Sequence, residues 1–211
     1  MKLFTLHGWS FDPRIWKGTP FERAEHLALP GHGESLFSSS DVVELSEEIG
    51  DYLPESSVLV GWSLGATLAV VTAVLYPDKV KGLVLFAPTL KFSGISQPEV
   101  VVKRFLKKLK RRFLETVREF RALCSTEEFP IPGFDERKVV ELLESFSYFD
   151  LSDFAKRVKV QTKIFVGEMD SVTGVVGAYG LYRLVCGATL SVFPGRDHLS
   201  VLYGRYFFPF V

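Results

Sequence analysis

One run, Val58-Leu59-Val60-Gly61-Trp62-Ser63-Leu64-Gly65-Ala66, constrains this chain more than any other. Val58 to Val60 is short, apolar and β-branched, as a buried strand is, whereas Leu64 to Leu75 is apolar all round, as a buried helix is. The G-x-S-x-G between them puts Ser63 on a tight strand-to-helix turn, where two glycines let neighbouring backbone pass close by. A serine there projects its hydroxyl at the strand's C-terminal end. The free N–H groups and positive dipole end of the helix lie beside it and favour a developing oxyanion. Ser63 is therefore the candidate nucleophile, and the rest of the chain must build around it.

Upstream, Leu3 to Leu6 reads as a first strand and runs directly into His7-Gly8-Trp9. Ser10 to Arg23 reads as loop with one helical turn near Ile15 and Trp16. Glu25 to Leu29 reads as a second strand closed by Pro30-Gly31-His32-Gly33. Ser38 to Asp41 offers helix caps, and Val42, Leu45, Ile49 and Leu53 recur at helical spacing. Downstream, Gly82 to Phe86, Thr162 to Val166 and Ala188 to Phe193 read as strands, with a glycine-rich helix over about 175–185. Such alternation predicts an α/β fold with a mostly parallel sheet and helices on both faces. The alternation breaks between about 91 and 155. Glu99 to Cys124 reads as one long amphipathic helix or two shorter ones, and Glu136 to Phe146 as another, with a Pro/Gly loop between them. Inserted there, these helices are expected to form a compact cap over the strand ends. A short aromatic helix with Tyr203, Tyr206 and Phe207 is expected after His198.

With 211 residues, 47% of them hydrophobic, a single domain spanning 1–211 is expected, with an ordinary core. Lysine plus arginine and aspartate plus glutamate number 25 each, which excludes a global field for nucleic acid and makes any charge argument local. Two cysteines, Cys124 and Cys186, lack metal-ligand spacing and point to a reducing compartment. With neither a signal pattern at the start nor a run able to span a bilayer, a cytoplasmic monomer is expected.

A serine hydroxyl needs a base, and the base needs a third group to fix its tautomer. Of four histidines, His198 follows the last strand, where a loop can swing it over the sheet, and is the candidate base. His7 suits a structural place in the first loop; His26 and His32 read as structural or surface residues. Asp170 lies just past the penultimate strand and gives the order Ser63, Asp170, His198. Asp197, adjacent to His198, reads as a solvated charge. An oxyanion hole would use the backbone N–H of Leu64 and of Trp9, in the loop after the first strand.

His7-Gly8-Trp9, Leu29-Pro30-Gly31-His32-Gly33, Gly61-Trp62-Ser63-Leu64-Gly65, Gly167-x-x-Asp170 and His198 together resemble the α/β-hydrolase superfamily. Within it the chain resembles the pimeloyl-acyl-carrier-protein methyl ester esterases of biotin synthesis, which share the L-H-G-W start, the G-W-S-L-G elbow and a segment like Thr116 to Leu123. The resemblance implies an α/β-hydrolase fold and hydrolysis of a methyl ester through an acyl-enzyme on Ser63, with no metal or cofactor. It further implies contacts to the ester from Trp9, Ser63, Leu64 and His198, and an acyl channel lined by Phe120, Arg121, Ala122, Leu123 and Cys124. Against that family the chain begins at the third strand, and Ala28 stands where many relatives have Asp.

Lys103 to Arg121 carries nine basic residues against two acidic ones, a local excess in a neutral chain. It reads either as a solvated helix face or as a docking surface for an acidic partner such as an acyl carrier protein, through Lys108, Arg111, Arg112 and Arg118. Nucleic acid and membrane surfaces rank below these, because no other motif for either accompanies the basic run. Two rival functions stand beside the carrier-linked esterase: a general short-chain esterase or thioesterase, and a non-catalytic ligand-binding protein on the same fold.

Overall fold

The computed structural model describes residues 1–204; the expected helix at Tyr206 and Phe207 lies outside them. Six parallel strands form one sheet: β1 (Lys2–Leu6), β2 (Glu25–Leu27), β3 (Ser57–Trp62), β4 (Val80–Phe86), β5 (Gln161–Gly167) and β6 (Thr189–Phe193). Their spatial order is β2-β1-β3-β4-β5-β6, so the elbow strand β3 is central. In register, Phe4 lies beside Leu59, Leu59 beside Leu83, and Leu85 beside Ile164. Because side chains alternate along a strand, these four strands present Phe4, Leu59, Leu83 and Ile164 to one face and Val60, Trp62, Val84 and Phe165 to the other.

The first face packs against α1 (Val42–Tyr52), α2 (Leu64–Leu75), α6 (Ser152–Ala155) and α7 (Gly174–Leu184). Asp41 caps α1 by accepting the N–H of Val43 and of Glu44, at 2.8 and 3.2 Å. α2 is buried along nearly its whole length, as its all-round apolar sequence requires. The second face is covered by two short 3-10 helices, Pro13–Trp16 and Ser200–Tyr203, whose Ile15, Trp16, Val201 and Leu202 pack on Trp62 and Phe86.

Between β4 and β5 lie α3 (Glu99–Leu109), α4 (Phe113–Cys124) and α5 (Glu136–Tyr148), followed by α6. α3 packs on α4 and α5, while α6 joins α2 and α7 in the sheet's helical layer. α3, α4 and α5 are thus the part of the insertion that stands over the strand ends. Loop 129–135 ties it to the loop after β2: Gly33 N–H donates to Gly133 O at 2.8 Å, and Asp135 N–H to Gly31 O at 3.0 Å.

Candidate active site

Ser63 sits between β3 and α2 with φ 56° and ψ −118°, outside the regions that L residues favour. Such strain costs on the order of 1–3 kcal/mol and persists only where surroundings over-determine it. Here they do. Ser63 N–H donates to Phe86 O at 2.9 Å, and Ser63 O accepts from Ala66 at 2.9 Å. A Cβ on Gly61 would run into the Gly65 carbonyl, and one on Gly65 into the backbone carbonyls of Leu6 and His7. The two glycines therefore let α2 start directly against β3 and β1. An N-cap serine ordinarily bonds its own helix; Ser63 makes no such bond, so its hydroxyl is not spent on capping.

Asp170 and His198 meet in the interior. His198 Nδ1 lies 2.9 Å from Asp170 Oδ2, and both side chains are essentially buried. Burial pushes the Asp170 carboxyl up, but the His198 charge and hydrogen bonds from His198, Val172 N–H and Thr173 outweigh it and hold Asp170 below its usual range. Val172 N–H and Thr173 N–H donate to Oδ1 at 2.8 and 3.1 Å. Thr173 Oγ1 lies 2.9 Å from both Asp170 Oδ2 and Ala87 O, so its one proton serves either. An ionised carboxylate at Nδ1 keeps the proton there and leaves Nε2 as the basic nitrogen. Trp62 links this pair to the elbow: its Nε1–H donates to His198 O at 2.9 Å, and its ring packs 5.2 Å from the imidazole. Among the described residues, no hydrogen bond joins Ser63 to His198 directly.

The loop after β1 completes the site. Gly8 touches the elbow closely: a Cβ there would lie 2.9 Å from the Trp62 ring and 3.2 Å from Ser63 Cβ. Gly8 O accepts from His7 Nδ1 at 2.8 Å and from Phe11 N–H at 3.3 Å. A trans peptide points its N–H opposite its C=O, so fixing Gly8 O also fixes the direction of Trp9 N–H. The backbone N–H groups of Trp9 and Leu64 have no acceptor among the described residues.

Two buried histidines brace this loop against the loop after β2. His7 Nε2 accepts Leu29 N–H and His32 Nε2 accepts Ser10 N–H, each at 3.0 Å. Those contacts make both Nδ1 atoms donors, to Gly8 O and to Pro30 O at 2.9 Å, so both rings are neutral. Burial drives His7 down to about 4, and burial, with repulsion from His7 once acid has protonated it, drives His32 down to about 3.

Above Ser63 lies a cavity of about 100 Å³. In its wall Trp9 meets Phe105 and Phe120 edge to face, with ring centroids 5.9 and 5.0 Å apart, the two phenyl rings are tilted by 59° at 5.8 Å, and Leu143 and Phe146 descend from α5. Trp9 is fastened to α5 by Nε1–H donating to Val139 O at 2.9 Å. Apart from Ser63, Gln97 and Ser171 the lining is apolar, and it contains no charged residue.

Of the expected acyl-channel residues, Phe120 and Leu123 line this cavity; Arg121, Ala122 and Cys124 do not. Residues three apart on a helix share a face, so those between them turn away. Arg121 and Ala122 face a depression on the other side of α4, and Cys124 is buried in the packing around Trp62. Of the basic residues, Lys108, Arg111 and Arg112 share a shallow groove with Arg104 and Lys107, while Arg118 lies on the other side, with Arg121. Lys108 is paired with Glu119 at 2.6 Å. Asp197 differs from its reading as a solvated charge: it is half-buried and accepts Leu199 and Ser200 N–H, at 3.1 and 2.7 Å. Trp62 and Thr173 were not foreseen as supports of the His–Asp pair; the only sequence signal was their closeness to Ser63 and Asp170.

Residues 3–206 match the model of the alpha/beta hydrolase family. The chain belongs to that family. It is similar to a pimeloyl-[acyl-carrier protein] methyl ester esterase from Pseudoalteromonas atlantica, at 28% identity over 92% of this chain and 85% of that protein. A protein of the same name from Photorhabdus laumondii is 33% identical over 57% of this chain and 50% of its own length. Among solved structures, a hydrolase from Oleispira antarctica superposes with a TM-score of 0.82 at 13% identity, covering 96% of this chain and 86% of that one. This last likeness concerns the fold alone. Among the described residues no helix is long and apolar enough to cross a membrane, and no three His, Cys, Asp or Glu side chains are grouped to hold a metal ion.

Proposed function

We propose that this α/β hydrolase is a serine carboxylesterase, with Ser63 as nucleophile, His198 as base, Asp170 as its orienting carboxylate, and Trp9 and Leu64 N–H as the oxyanion hole. The observation that carries the reading is the buried Asp170–His198 pair, tied through Trp62 to a strained serine whose hydroxyl no cap consumes. Ser63 attacks the ester carbonyl while His198 Nε2 takes its proton. The tetrahedral oxyanion accepts from Trp9 and Leu64 N–H. His198 then protonates the departing alcohol, and water repeats the sequence on the acyl-enzyme. A Ser–His contact that tightens only with substrate bound is common in such sites.

The substrate we propose is the methyl ester of a pimeloyl chain on acyl carrier protein, with methanol as leaving group. The names of the relatives support this choice. So does the uncharged cavity, which suits an acyl chain esterified at one end and thioester-linked at the other. The exposed Val101 on α3 stands at the cavity wall, and the groove of Arg104, Lys107, Lys108, Arg111 and Arg112 runs from the same helix into the turn before α4. A general short-chain esterase is the second reading, favoured by the small apolar cavity taken by itself.

Fluorophosphonate labelling tests the catalytic assignment: modification at Ser63, lost in Ser63→Ala, is expected, and an unlabelled wild type would refute it. Comparing kcat/KM for the carrier-bound methyl ester and a p-nitrophenyl ester of similar length separates the two substrate readings. Preference for the carrier-bound ester should vanish at high salt and in an Arg104→Glu/Arg111→Glu variant through KM; equal effects on both esters would remove the docking surface.

A further inference from the structure

Arg121 carries a charge into the interior, 9% exposed, where no carboxylate pairs with it among the described residues. The nearby Asp12 carboxylate is taken by Arg14, whose Nε lies 2.9 and 3.0 Å from its two oxygens. The Arg121 guanidinium spends its donors on main-chain carbonyls instead. Nη1 donates to Ser10 O, and Nη2 donates to Phe129 O at 2.8 Å and Pro130 O at 3.3 Å. Its plane lies over the Phe11 ring, 4.0 Å from the centroid. Holding an unpaired cation there is costly, and burial lowers its pKa. A planar fork suits this job, since it reaches carbonyls in two directions at once.

The residue it grips is an unusual one. Ser10 has φ 66°, is fully buried, and leaves its hydroxyl without a partner among the described residues. A non-glycine residue in that conformation needs outside support. His32 supplies it on the N–H side and Arg121 on the C=O side. Ser10 directly follows Trp9, and Phe11 N–H closes the turn back onto Gly8 O, the group that sets the direction of Trp9 N–H. Arg121 meanwhile belongs to α4, whose Phe120 and Leu123 form the wall of the cavity.

We infer that Arg121 is a positioning residue that locks the oxyanion loop to helix α4, so that the Trp9 N–H is aimed only while α4 is seated over Ser63. This rests on the esterase reading, in which that N–H receives the ester oxygen. The clamp acts on the tetrahedral state and leaves the acyl cavity unaltered, because Arg121 faces away from it.

The test uses the full chain, Arg121→Met and Arg121→Lys, with p-nitrophenyl butyrate as substrate. Hexylboronic acid probes the oxyanion hole, and 1-hexanol probes the cavity. Losing one oxyanion donor outright lowers kcat about 100- to 1,000-fold, so a donor left mis-aimed should lower it about tenfold or more. Arg121→Met is expected to show that loss in kcat and a similar loss in boronic acid affinity, with KM and hexanol inhibition within about twofold of wild type. Arg121→Lys, which keeps a cation but not the fork, should fall between and is read by the same ratio if the methionine variant does not fold. Unchanged kcat in a folded variant, or parallel loss of boronic acid and hexanol affinity, would overturn the inference. A wild type that neither hydrolyses the ester nor binds the boronic acid would instead overturn the esterase reading on which it rests.

Discussion

The buried pair His7 and His32 should make this protein acid-sensitive to an extent that can be worked out in advance. Both rings are neutral in the fold, with pKa values of about 4 and about 3 against 6.5 for a free imidazole. Between those values and 6.5 the unfolded chain binds protons that the native chain refuses. Stability therefore falls as pH drops through this window and is fully present only above it. Each histidine contributes up to about 1.4 kcal/mol per pH unit, so the pair gives a slope approaching roughly 2.7 kcal/mol per unit. From pH 6.5 to 4 that is on the order of 3 kcal/mol for each ring, against a total stability of about 5–15 kcal/mol for an ordinary domain. Urea unfolding followed by tryptophan fluorescence, at half-unit steps from pH 7 to 4, measures it. The informative variant is His32→Gln, whose side-chain oxygen can still accept Ser10 N–H but cannot titrate. Its slope should be shallower than wild type by about 1.4 kcal/mol per pH unit, because carboxylates that titrate in the same range are common to both proteins. Identical slopes would refute the neutral, buried assignment of His32.

At the elbow, Gly65→Ala should abolish folding, because its Cβ would meet two backbone carbonyls that cannot move aside. Gly33→Ala, at φ 84° with nothing within 4 Å, should cost only about 1 kcal/mol by thermal or urea melts. In the cavity, the absence of charged lining predicts discrimination against a terminal carboxylate: kcat/KM for p-nitrophenyl hydrogen adipate should fall at least 100-fold below that for p-nitrophenyl hexanoate, and near-equal values would show that the acyl chain lies elsewhere.

Residues bound by local rules were the ones legible in the sequence. The elbow announced itself because a serine with φ 56° wedged between β3, β1 and α2 needs glycine on both sides, and that requirement appears as a spacing of two. Strand ends, the Asp41 cap and the all-round apolar α2 follow from equally local rules. What failed to show carried no residue type or spacing to mark it. Leu106, Leu109, Phe113 and Val117 continue one apolar stripe straight through Lys110 to Arg112, where α3 ends and α4 begins without glycine or proline to mark it. Asp197 looked like a surface charge because its acceptor role depends on the turn of the chain that follows it.

Arg121 shows why such residues are misread. In a run so rich in lysine and arginine, one more arginine carries no signal, and the family resemblance implies for it a shared role with Phe120 and Leu123 in the acyl channel. Helix geometry separates them: two side chains enter the cavity, and the third crosses behind α4 to carbonyls 111 and 8 residues away in sequence. The basic run is thus two chemistries in one composition. Arg104, Lys107 and Arg111 line an outward groove where charge can act at a distance, whereas Arg121 is buried for its shape and its donors. Charge reversal on the groove should alter encounter with an acidic partner and respond to salt, while change at Arg121 should alter the chemical step and not respond to it. A salt titration of kcat/KM on both kinds of variant separates the two roles, and the same salt response in both would mean that the division by helix face is wrong.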